Sequence, residues 1–169
     1  MAISLTKGGN VNLSKEAPNL TNMAVGLGWN PRATDGQAFD LDAVAFLVNE
    51  SGKVRADADF IFFNNLKSSD GSVEHTGDNR TGEGDGDDEV INVDLSRVPA
   101  HVQSLVFTVN SFTGQTFEKV ANAFCRIVNA GNNSEVARYN LSAQGSHTAL
   151  ILAKIYRHNG EWKMHAIGE

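Results

Sequence analysis

Apolar and polar residues alternate along most of this chain, in short runs separated by turn-forming residues. Segments 3–7, 22–29, 38–49, 58–64, 89–98, 104–112, 123–130, 135–142, 148–158 and 161–168 are rich in Val, Ile, Leu and Phe, and several keep a period of two. Side chains two apart share one face of a strand, so such runs predict half-buried β-strands. Asn159-Gly160 falls between the last two runs and predicts a tight hairpin, because both central positions of a type I′ turn take positive φ. Ser51-Gly52 marks a turn between the third and fourth runs, and residues 116–124 (TFEKVANAF) carry the one hint of a helical turn. About ten short strands with almost no helix predict an all-β fold, a two-sheet antiparallel β-sandwich, with a closed barrel as the alternative. No repeat of fixed period and no interdomain linker appears, so residues 1–169 read as a single domain.

One connection breaks the rhythm. From Asn64 to Asp88 there is no strand or helix periodicity, a span well beyond the roughly 12–15 residues that a compact domain usually leaves without regular structure. Within it, GDNRTGEGDGDDE (77–89) holds six carboxylates and four glycines, with Arg80 its one basic residue. The net charge of the chain is −6, but residues 70–94 alone carry nine acids against Arg80, so that segment is −8 and the remainder +2. The acidity is therefore one local feature. With no Lys/Arg cluster elsewhere, the balance argues against a nucleic-acid partner.

Like charges about 4 Å apart repel by roughly 1 kcal/mol in water and by several at a protein surface. A folded cluster of this kind is costly without a counterion, and a hard divalent cation removes the cost. Calcium accepts six to eight oxygen ligands in tolerant geometry, whereas magnesium demands a tighter octahedron and keeps its waters. Alternating Gly82, Gly84 and Gly86 let the backbone bend so that successive oxygens converge. Zinc would call for Cys or His, yet Cys125 is distant and His75 stands alone in the loop. Charge density and glycine spacing rank Asp78, Glu83, Asp85, Asp87 and Glu89 first as metal ligands, followed by Asp40, Asp42, Asn64, Asn79 and Asp88, with backbone carbonyls of Gly82 or Gly84 completing the shell.

Asp40 and Asp42 are two apart, on a face continued by the apolar Val44, Phe46 and Val48; this predicts a buried face meeting the end of the sandwich, with a plain exposed strand end as the competing reading. Asn64 and Asn65 suit either ligation or an Asx turn. An EF-hand is excluded: Glu83, Asp85 and Asp87 have the right spacing, but Asp88 stands where glycine is required and no flanking helices are apparent. No Gly-Lys-Ser/Thr follows the glycines, which excludes a phosphate-binding P-loop.

Catalytic candidates are sparse. His75 reads as a solvated loop histidine beside Glu74, and His101, His147, His158 and His165 share no triad or metal spacing. Cys125 lies inside an apolar strand and reads as core, and Trp29 and Trp162 as core or rim. Gly26 and Gly28 mark close backbone approach or a bulge. A lone cysteine, no leader-like N-terminal segment and no long apolar run point to a cytoplasmic protein without a transmembrane segment.

The segments KGGNVNLSK, GLGWN, FDLDAVAFL, NAFCRIV, ARYNLS and YRHNGEWKMHAIGE, together with the block DFIFFNNLKSSDGSVEHTGDNRTGEGDGDDE from Asp59, resemble the bacterial TerD-type tellurium-resistance and stress-response proteins over nearly the full length. The resemblance implies a β-sandwich that binds two calcium ions through the acidic loop and neighbouring strand ends. It also implies a cytosolic system conferring resistance to tellurite and other stress. Two departures stand out: Asn30 occupies a position where members often carry Asp, and members usually continue beyond the last strand, as if a C-terminal extension were lacking here. Three functions are compatible with these residues. The chain is expected to be a non-enzymatic calcium-binding module that presents an ordered loop to other proteins of the same resistance system. The alternatives are a metal-dependent enzyme acting on phosphoesters or tellurite, and a calcium-bridged structural component, with a membrane-associated partner among the options.

Overall fold

The computed structural model describes residues 3–5, 8–17, 20–31, 41–54, 60–61, 67–68, 71–75, 89–100, 102–111, 120–131, 134–140, 149–158 and 160–167. In chain order these form β1 (Ile3–Leu5), β2 (Asn10–Asn12), a helical turn (Leu13–Glu16), β3 (Asn22–Pro31), β4 (Leu41–Val48), β5 (Phe60–Ile61) and β6 (Val73–His75). They continue with β7 (Glu89–Asp94), a 3-10 turn (Leu95–Arg97), β8 (Ser104–Ser111), β9 (Val120–Asn129), β10 (Ser134–Asn140), β11 (Ala149–His158) and β12 (Glu161–Ala166). The strands make two six-stranded sheets, ordered β1-β10-β9-β3-β7-β6 and β2-β12-β11-β8-β4-β5. The two-sheet sandwich expected from the alternation is the observed architecture. All pairs are antiparallel except β1 with β10, which is parallel.

The described strands number twelve, against the ten read from the alternation. The additional ones, β2 and β6, have three residues each, too few for a period of two to register. The helical hint at 116–124 is corrected over its described part, since residues 120–124 belong to β9. There Val120 and Ala121 pair with Pro31 and Asn30 on one side, and sheet hydrogen bonding overrides weak local propensity. The hairpin at 159–160 forms: His158 pairs with Glu161, and Gly160 has φ of 78°. Gly28 sits at a register shift between β3 and β9, the bulge expected of that glycine.

The inner faces supply the core. Val25 and Leu27 on β3, Ile91 and Val93 on β7, and Cys125 and Ile127 on β9 face Ala45 and Leu47 on β4, Leu105 and Phe107 on β8, and Ile155 on β11, all of them buried. Cys125 is completely buried, as its apolar setting predicts. Tyr139 lies opposite it on β10. Burial, and then charge on Cys125, push the Tyr139 phenol above its ordinary 10.0.

One end of the sandwich is closed by Arg157, at the end of β11. Its Nε donates to the Val102 carbonyl at 3.0 Å, and its terminal nitrogen donates to the carbonyls of Val98 at 2.9 Å and Pro99 at 3.2 Å. Its guanidinium lies 4.5 Å from the centre of the Trp162 ring. The residues that leave β7 and enter β8 are thereby tied to β11, which places the end of β7, the start of β8 and the end of β11 at the same end of the molecule. Partial burial without a carboxylate partner among these contacts holds the Arg157 pKa below its ordinary value.

Two outcomes follow. Arg157→Lys keeps the charge but loses the planar fork, and is expected to cost on the order of 1–3 kcal/mol in urea unfolding, as the carbonyls lose their shared donor. For Tyr139, the raised folded-state pKa means that the folded chain binds the proton more tightly than the unfolded chain. That stability is fully present below the ordinary 10.0 and is lost as pH rises through the raised value. Urea midpoints at about pH 9 and about pH 11 should therefore fall less in Tyr139→Phe than in the parent.

Candidate metal-binding end of the sandwich

The end opposite Arg157 collects the strand termini that flank the acidic segment. In the first sheet, β3 and β6 end there, at Pro31 and His75, and β7 begins there, at Glu89. In the second sheet, β4 begins there at Leu41 and β8 ends there at Ser111. β4 and β7 also pack against each other across the core. β6 and β7 are hydrogen-bonded neighbours, His75 opposite Ile91. The segment between them, which holds most of the carboxylates, therefore departs from and returns to adjacent strands at this end.

Of the ten ligand candidates, Asp40, Asn64, Asp78, Asn79, Glu83, Asp85, Asp87 and Asp88 lie outside the described residues. Asp42 and Glu89 are placed by their backbones alone. Asp42 is the second residue of β4, opposite Asn110, and Glu89 opens β7, opposite Leu27. Among the described residues, no group of three or more His, Cys, Asp or Glu gathers as a metal site.

Two readings of local environment change. The face of β4 that carries Val44, Phe46 and Val48 is not the core face. Those residues pair with Thr108, Val106 and Ser104, while Ala45 and Leu47 pair with the core residues Phe107 and Leu105. Val44 is nonetheless buried at 3% exposure on this outer face, and Phe46 meets Phe60 edge-on at 4.5 Å. An apolar outer face is what defeated the alternation argument. Asp42 thus holds an outer-face register position, whereas Glu89 continues the core-face series of Ile91 and Val93. Asp42 and Glu89 therefore share no kind of sheet face, only a place near a strand terminus at this end.

His75 is not a solvated loop residue. It ends β6, where Val73-Glu74-His75 alternates in-out-in, and it is 2% exposed. The polar composition around it concealed a three-residue alternation. Glu74, on the outer face, reaches Lys67 at 4.0 Å. Beneath them Ser68 and Ser72 are buried, and the Ser68 hydroxyl accepts from the Val73 amide at 3.1 Å.

A charged cluster that the sequence reading passed over lies on the outer face of the first sheet. Arg126 on β9 and Arg138 on β10 are directly opposite each other, and each donates to Oε1 of Glu135 at 3.3 Å. The Arg138 guanidinium sits 4.1 Å from the centre of the Phe124 ring. The detectable signal was positional: Phe124 and Arg126 alternate with Cys125 and Ile127, so the polar set had to share the outer face.

A two-sheet sandwich whose acid-rich segment is anchored at one end defines the class of protein. The chain belongs to the TerD domain family, whose profile matches residues 1–169. Tellurium resistance protein TerD of Serratia marcescens is 57% identical over 174 residues, covering 100% of this chain and 91% of that protein. General stress protein 16U of Bacillus subtilis (strain 168) is 48% identical over 174 residues, covering 99% of this chain and 90% of that protein. The crystal structure of a homologue of telluride resistance protein (TerD) from Streptomyces coelicolor A3(2) superposes with a TM-score of 0.70 at 21% identity, covering 89% of this chain and 90% of that one. Among the described residues no helix is long and apolar enough to cross a membrane.

Proposed function

We propose that this chain is a calcium-binding module of a cytoplasmic tellurium-resistance and stress-response system, in which the bound cation orders the acidic segment for contact with other proteins of that system. The observation that carries this reading is that residues 76–88, with five carboxylates against Arg80 and so a charge of −4, connect the adjacent strands β6 and β7 at the end where Asp42 is the second residue of β4 and Glu89 opens β7. So much like charge returned to one place needs neutralisation, and an all-oxygen donor set of carboxylates and amides suits a hard cation of flexible coordination. Asp78, Glu83, Asp85, Asp87 and Glu89 would supply the principal oxygens, with Asp40, Asp42, Asn64, Asn79 and Asp88 contributing, and two ions would distribute this many donors sensibly. When bound, calcium supplies positive charge and a coordination frame.

Cys125 and Tyr139 are sealed in the core, where neither is accessible for redox or nucleophilic work. This favours a binding module over an enzyme acting through either group.

Isothermal titration of the metal-stripped chain with Ca²⁺ and, separately, Mg²⁺ tests the reading. Tight, calcium-selective binding is expected, with stabilisation of about 2.7 kcal/mol at a hundredfold excess over Kd, read as a rise in melting temperature. Asp85→Ala and Asp87→Ala should each weaken calcium binding while the far-ultraviolet spectrum of the sandwich is unchanged. Equal, weak binding of both ions, or parental calcium affinity in both variants, would overturn the assignment.

A further inference from the structure

We propose that the outer face of the first sheet holds a binding site for a small zwitterion, a free α-amino acid, at the end of the sandwich where β3 begins and β7 stops. This inference is independent of the calcium reading. It uses the start of β3, the end of β7, β6 and the turn before β6, and no residue assigned to cation binding.

A cavity of about 370 Å³ lies here, with Asn22, Lys67, Gly71, Glu74, Asn92 and Asp94 in its lining. That volume is at the low end of the roughly 300–1,000 Å³ usual for small-molecule sites. Strand register explains the lining. Glu74 is opposite Asn92, and Asn22 is opposite Asp94. Their neighbours Met23, Val73 and Val93 are buried in the core, so these four polar side chains belong to the outer face. Lys67 bridges to Glu74 from the side of β6 away from β7. Gly71 has φ of 78°, and a side chain there would meet Nη1 of Arg97 at 3.3 Å and Cε of Lys67 at 3.6 Å. The two cationic arms therefore run side by side against the wall that Gly71 forms, and a residue without a Cβ leaves them that course.

The charges around this cavity are matched in number and loosely held. Lys67 Nζ is 4.0 Å from Glu74, and Arg97 Nε is 3.9 Å from Asp94, both beyond hydrogen-bond reach. The two cations are 60% and 63% exposed, and exposed pairs of this kind contribute little. Among the described residues, the side chains of Lys67, Arg97, Asn22 and Asn92 make no hydrogen bond, so their donors are uncommitted. Asp94 spends Oδ1 on Ser96 and turns Oδ2 toward Arg97. Two cations beside two carboxylates sum to zero. A plain anion or a plain cation would meet repulsion here along with attraction. An α-amino acid carries both charges on one carbon and answers both pairs: its carboxylate accepts from Lys67 and Arg97, and its ammonium donates to Glu74 and Asp94. The amides of Asn22 and Asn92 remain for a polar side chain.

The full-length chain is titrated by calorimetry with glycine, L-serine and L-glutamine, and with the N-acetyl and carboxamide derivatives of each, which lack one charge apiece. Saturable binding of at least one amino acid is expected, with the side-chain amide resonances of Asn22 and Asn92 moving on saturation. Each derivative of that amino acid should bind roughly 10-fold more weakly or worse, as loss of a charge-assisted contact implies. Lys67→Met and Arg97→Gln should each weaken binding roughly 5-fold or more, the smaller figure reflecting their exposure. Glu74→Gln should weaken it as well. That sign separates a zwitterion site from an anion site, where removing a carboxylate strengthens the binding of acetate. Melting curves verify that the variants are folded, and the exposure of all three side chains makes their replacement compatible with the sandwich. Absence of saturable binding of all three amino acids, derivatives that bind as well as the parent amino acid, Lys67 and Arg97 variants with parental affinity, or a Glu74→Gln variant that binds the amino acid no more weakly and acetate more tightly would overturn the proposal.

Discussion

The register of β3 against its two neighbours is the constraint on which the rest of the molecule depends. β3 is an interior strand, hydrogen-bonded on one side to β7 and on the other to β9. Its inward residues Met23, Val25 and Leu27 are buried at 1%, 5% and 3% exposure, and the positions between them are Ala24, Gly26 and Gly28. A slip of one residue would exchange these sets, placing glycines in the core and large apolar side chains outside. No such slip is tolerable, so the position of every strand paired directly or indirectly with β3 is set. Glu89 is consequently held opposite Leu27, and Arg126 opposite Gly26.

That register also separates charge from core. Asp42 and Glu89 stand near the starts of β4 and β7, at the end of the sandwich where the chain leaves β6 and re-enters the sheet at β7. At the other end the polar demand is different. The carbonyls of Val98, Pro99 and Val102 turn inward and require donors, and Arg157 provides them without any carboxylate in those contacts. Burying an anion there would have added a desolvation cost that neutral carbonyls avoid. The two ends of one sandwich thus differ: the connection between β6 and β7 at one end is rich in carboxylates in sequence, and backbone carbonyls at the other are met by one guanidinium.

Much of this was legible in the chain, and the reasons for the failures are physical. The two-sheet architecture, the hairpin at Gly160 and the buried Cys125 follow from alternation, turn chemistry and an apolar setting. β6 escaped notice because three residues, Val73-Glu74-His75, sit amid Ser, Asp and Gly, and with it the burial of His75 was missed. The core face of β4 was misassigned because Val44, Phe46 and Val48 are apolar on the outside of the sheet, so both faces of the strand read alike. The helical turn at Leu13–Glu16 depends on Asn12, whose side chain accepts from the Lys15 amide at 3.0 Å, a cap with no amphipathic run behind it to draw attention. The arginine pair was invisible for another reason. Arg126 and Arg138 are twelve positions apart, and only the strand register, which includes an irregularity between Glu135 and Ala137, makes them neighbours. For the acidic segment the reverse holds: composition announces it, and the structure adds the strand ends on which it is anchored.

Family membership and geometry bear on different questions. High identity to a tellurium-resistance protein and to a general stress protein places the chain among stress proteins, yet a phenotype does not specify a chemistry. Chemistry is constrained by what the sandwich exposes. Among the described residues, the thiol of Cys125 is sealed in the core, whereas Arg126, Arg138 and Glu135 form a half-buried ion-pair group on the outer face of the first sheet. β3 stands between Arg126 and Glu89: Arg126 is opposite Gly26 on its β9 side and Glu89 opposite Leu27 on its β7 side, one residue step apart along the strand and two inter-strand spacings, on the order of 10 Å, across it. The register of β3, fixed by its buried alternate residues, sets both backbone positions.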